Sequence, residues 1–121
     1  MINQVEAQNI LQDFLRIESV TPDAKKSFDF LEKLFKKYNF EIHRVKFGSA
    51  DTIEVENMFA IIGSGGPHLN FAGHVDVVPP GELNSWKHPP FSGHIEDGHI
   101  YARGAEAVSY THLTLPTICS V

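Results

Sequence analysis

The chain has a single cysteine, Cys119, so an internal disulfide is excluded and a reducing cytoplasm is the expected setting. It has no excess of basic residues. Ten Lys and Arg stand against fifteen Asp and Glu, a formal charge of -5 with no basic cluster, which argues against a nucleic-acid partner. No run approaches the roughly 18 apolar residues of a membrane span. The N-terminus, with Asn3, Glu6 and Gln8, lacks the basic and apolar leader of a signal peptide. Gly63-Ser-Gly-Gly-Pro67 is glycine-rich, yet no Lys-Ser or Lys-Thr follows it, so a nucleotide-binding loop is excluded. Charge is also missing from one stretch. Residues 107–121 contain no Asp, Glu, Lys or Arg, where about 25% charged residues is usual. A short buried strand is one account of that run; a non-native, frameshifted or adapter-derived tail is the preferred one.

The residues that are present suggest a layered α/β domain, two helices followed by short strands, with no internal repeat. The first helix is expected from Gln4 to Arg16, capped by Asn3 with Glu6 three residues on, and carries an apolar stripe of Ile10, Leu11, Phe14 and Leu15. Thr21-Pro22 reads as the start of a second helix, whose buried face is Phe28, Leu31, Leu34, Phe35 and Tyr38. Lys33, Lys36 and Lys37 then enrich its last turns in the sign the dipole favours. Phe40 to Phe47 forms a strand whose apolar parity switches, which predicts a bulge near His43 and Arg44. Strands are also expected over Asn57–Ile62, His68–Gly73, Phe91–Ile95 and His99–Ala102, with a tight hairpin turn at Asp97-Gly98.

The chemistry concentrates in Phe71-Ala-Gly-His-Val-Asp-Val-Val-Pro-Pro80. Residues two apart in a strand share a face. His74 and Asp76 can therefore point into one cleft, His74 as metal ligand and Asp76 as its orienting carboxylate. His-x-Asp spacing alone is a weak signal, and the surrounding blocks strengthen it. His68, His88, His94 and His99 have no carboxylate or cysteine at a recognisable metal spacing and read as ordinary polar histidines, as does His112 in the tail. Trp86 and Phe91 read as packing residues under the loop after the metal strand, and Arg103 as a salt-bridge or loop anchor.

Three blocks carry a family resemblance: residues 71–81, then Trp86 with Pro89-Pro-Phe91, then Ile95-Glu-Asp-Gly-His-Ile-Tyr-Ala-Arg-Gly-Ala105. Over residues 1–106 the chain resembles the zinc-dependent aminoacylase and peptidase family. Asn57-Met-Phe-Ala60 and Phe71-Ala72 look most like the branch that removes succinyl groups in lysine and diaminopimelate biosynthesis. A deacetylase branch is the alternative, and a non-catalytic fragment is another.

The resemblance implies the N-terminal part of a three-layer α/β/α catalytic domain, left incomplete, with residues 107–121 as an aberrant tail. It implies two zinc ions, replaceable by cobalt, in the intact family. His74 would be a ligand of one metal, and Asp76 the active-site carboxylate bonded to the ring's other nitrogen. It further implies a small N-acyl amino-acid substrate, homodimerisation through an inserted domain, and no nucleic-acid or membrane partner. The pattern departs after Ala105: where the family places a metal-bridging aspartate the chain has Ala107, and Glu106 lies one residue early. With His74 and a misplaced Glu106 as its ligands, the chain itself is expected to bind zinc weakly and to be inactive.

Overall fold

The computed structural model describes residues 2–67 and 69–106. It divides into two compact units, one of residues 17–79 and one joining the residues up to Arg16 with those from Pro80 onward. His68 and the stretch from Ala107 to Val121, including the expected tail and His112, lie outside the described residues.

In the discontinuous unit, α1 spans Gln4–Leu15. Its start follows the local chemistry, because the Asn3 side chain accepts a hydrogen bond from the Glu6 backbone N–H at 2.9 Å. Of the expected stripe, Leu15 is buried, Ile10 and Phe14 are half-buried, and Leu11 is exposed. The far side of the unit reaches α1 through backbone carbonyls. Gln12 Nε2 donates to Gly93 O at 2.7 Å and Arg16 Nε to Ser92 O at 3.2 Å. Gly93 is required there: its φ is +57°, and a Cβ would stand 3.1 Å from both Gln12 O and Gln12 Cγ.

The continuous unit contains α2, Lys25–Lys37, packed on an antiparallel pair of β1, Glu41–Phe47, and β2, Val55–Ile61. The second helix starts later than Thr21-Pro22 suggests. Thr21 N–H is taken by Val77 O at 2.9 Å and Val77 N–H by Ser19 O at 2.9 Å, so residues 19–21 run alongside residues 75–77 instead of turning into a helix. Its N-terminal residue Ala24 has no side-chain cap. Phe28 and Ser27 are buried, and Leu31, Leu34, Phe35 and Tyr38 are half-buried.

The bulge expected near His43 and Arg44 is absent, as the register runs unbroken from Glu41↔Ile61 to Phe47↔Val55. The parity switch has another cause. Arg44 takes the inward position beside Ile42, and its charge is met by carboxylates from both neighbouring elements. Arg44 Nε and Nη2 donate to the two oxygens of Glu56, each at 2.8 Å, while Nη1 reaches Asp29 and Glu32 of α2. The outward positions Val45, Phe47, Val55, Phe59 and Ile61 are exposed.

The strand expected over His68–Gly73 is also absent among the described residues, where Leu69 to Gly73 form no ladder and Leu69 and Phe71 are 82% and 77% exposed. A parallel strand needs a neighbour to take its N–H and C=O groups, and the described residues supply one just for the Val77 stretch. The last elements are β3, His94–Glu96, and β4, His99–Tyr101. They are joined by Asp97 at φ 50° and Gly98 at φ 76°, the positive pair of a two-residue hairpin turn. Helices with small antiparallel sheets fit part of an α/β domain.

Candidate metal-binding site

Among the described residues, two groups of potential ligands stand out, one in each unit. The first is His74 with Asp76. No ladder holds residues 74–76; the Ser19 hydroxyl and the backbone pairing of the adjacent Val77 do. Buried Ser19 donates through Oγ to Val75 O at 2.8 Å, and the paired Val77 lies two residues on. His74 Nδ1 then lies 2.9 Å from the Asp76 carbonyl oxygen and 3.3 Å from Asp76 Oδ1. Both neighbours are acceptors, an arrangement that favours the tautomer with the proton on Nδ1 and the lone pair on Nε2. The pairing expected from the sequence is present in space, although a local i, i+2 contact produces it rather than a strand face.

Asp76 also lines a cavity of about 320 Å³ with Thr21, Lys25, Lys46, Glu54 and Glu56, whereas His74 lies outside that lining. The cations of this cavity are paired, Lys25 with Asp29 and Lys46 with Glu54, each at 2.6 Å.

The second group was not legible as a motif. His88, His94 and Glu96 each offer one ligand atom, all within 4.8 Å of one another. His88 Nε2 is 3.3 Å from Glu96 Oε2, and the His88 and His94 rings stack at 3.8 Å and 21°. His88 and His94 are therefore not isolated polar histidines: Glu96, two residues after His94 on the same strand, stands within reach of both rings. Lys87 Nζ donates to the same oxygen of Glu96. That ammonium, followed by His88, holds the Glu96 carboxyl below the usual carboxylate range.

His99 makes a turn contact, with Nδ1 2.9 Å from Asp97 O. Trp86 and Arg103 act as loop anchors. Trp86 Nε1 and Arg103 Nη2 both donate to Pro80 O, at 2.9 and 3.3 Å, and the guanidinium lies 4.8 Å from the indole centre. Arg103 N–H further donates to Pro90 O at 2.7 Å. Phe91 is half-buried, and Glu106, the out-of-place carboxylate, is exposed.

Residues 70–115, which include both groups, match the model of peptidase family M20/M25/M40. Three proteins named succinyl-diaminopimelate desuccinylase are similar over most of this chain. The one from Rhodopseudomonas palustris (strain BisA53) is 46% identical over 100 residues, 83% of this chain and 26% of its own length. That from Bradyrhizobium sp. (strain ORS 278) is 48% identical over the same shares. That from Rhodopseudomonas palustris (strain TIE-1) is 47% identical over 105 residues, 87% of this chain and 27% of its own. The chain thus spans about a quarter of the length of the relatives it matches.

Proposed function

We propose, from the match of residues 70–115 to the model of peptidase family M20/M25/M40, that this chain belongs to that family and serves metal-dependent hydrolysis of N-succinyl-LL-2,6-diaminopimelate. Water adds across the succinyl amide, the C–N bond breaks, and succinate and LL-diaminopimelate leave. The observation that carries this reading is the 46–48% identity to desuccinylases over a hundred residues that include His74 and Asp76.

The family is metal-dependent, and the donor chemistry at His74 fits a metal in one respect. With Nδ1 committed to Asp76, His74 presents Nε2 as a directed neutral ligand. Asp76 positions that ring. The ion, zinc or cobalt in this proposal, supplies a polarised amide carbonyl and an activated water when bound. A catalytic zinc takes about three protein ligands, and His74 is one. The remaining ligands and a general base must come from elsewhere in a longer protein, so the 121-residue chain alone is inactive in this reading. The same reading assigns residues 1–106 to the opening of a three-layer α/β/α catalytic domain and residues 107–121 to a non-native tail. It places the whole protein in the cytoplasm as a homodimer. None of the described helices is long and apolar enough to cross a membrane.

The test is a full-length desuccinylase whose first segment is replaced by residues 1–106. The expected result is succinate release, abolished by His74→Ala, with metal affinity weakened about 10- to 100-fold by Asp76→Ala. Efficient deacetylation of acetylornithine without succinate release overturns the substrate assignment.

A further inference from the structure

We infer that His88, His94 and Glu96 form a second binding site, for a divalent first-row transition ion. The hairpin prepares it. His94 and Glu96 are alternate residues of β3, which puts them on one face, and the Asp97-Gly98 turn fixes that strand against β4. His88 is brought back over them just before Pro89 and Pro90, with its ring tilted against Tyr101 at 5.0 Å. The spacing suits a shared ion. Two ligands bound tetrahedrally at about 2.0–2.1 Å stand roughly 3.3 Å apart. His88 Nε2 and Glu96 Oε2 already stand 3.3 Å apart. Bringing His94 in from within 4.8 Å takes a rotation about its side-chain bonds.

Two imidazoles and one carboxylate select zinc, cobalt, nickel or copper over calcium or magnesium, which require more oxygen ligands. A cation is seated on the carboxylate already, since the Lys87 ammonium donates to Glu96 Oε2. An entering metal competes with Lys87 for that oxygen. The competition gives the site a signature that chance chelation by a surface histidine pair lacks: removing Lys87 should tighten binding.

The experiment uses the untagged 121-residue chain carrying His74→Ala, which removes the site of the proposed function and keeps the two ideas separable. Cobalt(II) is titrated as the probe, read by its visible ligand-field absorption and by histidine-ring NMR, with zinc added in competition. One cobalt per chain is expected, displaced by zinc. His94→Gln and Glu96→Gln should each weaken binding at least about tenfold, and Lys87→Met should tighten it severalfold. Absence of saturable cobalt binding overturns the proposal, as does binding indifferent to Glu96→Gln and Lys87→Met. Should His94→Gln disturb the hairpin, Lys87→Met alone decides: tighter binding supports the site, and unchanged or weaker binding refutes it.

Discussion

Replacing Arg44 by methionine removes a side chain that ties α2, β1 and β2 together by charge. The guanidinium forks onto Glu56 through two 2.8 Å hydrogen bonds and reaches Asp29 and Glu32 with its remaining nitrogen, while lying 5.8 Å from the centre of the buried Phe28 ring. Arg44 and Glu56 keep 20% and 17% of their side-chain surface exposed, so the pair belongs between the solvated and buried extremes. Exposed pairs contribute about 0.2–1 kcal/mol, and breaking a fully buried one costs about 3–5. A cost of about 2 kcal/mol for Arg44→Met follows, most of it from leaving Glu56 without its partner in a half-buried place. Changing both residues, Arg44→Met with Glu56→Leu, removes the orphaned charge and should cost about 1 kcal/mol or less. Urea denaturation of the four chains, followed by far-ultraviolet circular dichroism and by hydrogen exchange at the β1 amides, completes the cycle. Two outcomes refute the reasoning: a single substitution costing under about 0.5 kcal/mol, or a double variant that loses the sum of the two singles.

The same cluster sets an acid limit. Glu56 is held below its ordinary 4.5 by Arg44, Glu32 below 4.5 by Lys36 and then Arg44, and Asp29 below 3.8 by Lys25 and then Arg44. Depressed folded-state values contribute stability that is fully present above the ordinary values and is lost as pH falls through the depressed ones. The urea midpoint should therefore decline below about pH 4.5, and decline less steeply in Arg44→Met. An unchanged slope in that variant contradicts the assignment. At the hairpin, Gly98→Ala places a Cβ at φ +76° and should cost about 1 kcal/mol, seen as weakened cross-strand contacts between β3 and β4 in NMR spectra.

Signals written in neighbouring residues were legible, and those that depend on a distant partner were not. Asn3 caps α1 and Asp97-Gly98 turns the hairpin because each acts over three or four residues. The His74–Asp76 contact is equally local. Thr21-Pro22 misled because its backbone is claimed from 56 residues away by Val77. The apparent bulge misled because Arg44 occupies an apolar-looking position through carboxylates on two other elements. The His88 group was partly readable: the same-face rule applied to His74 and Asp76 also links His94 and Glu96. Ending the expected strand at Ile95 put Glu96 in the turn and hid the pair, and His88 joins them through the fold.

The division of the chain has a kinetic consequence. Residues 17–79 form one unit in continuous sequence, whereas the other is stitched from segments whose contact between Gln12 and Gly93 spans 81 residues. Closing so long a loop from an open coil carries an entropic penalty that grows with the logarithm of its length. Pairing of Val20 with Val77 brings the two ends of the continuous unit together. Once that unit is folded, the loop that the discontinuous unit must close is short. Folding thus acquires an order, the interior of this sequence ahead of its flanks, and α1, which lies ahead of the continuous unit in the sequence, is among the last to find its permanent partners.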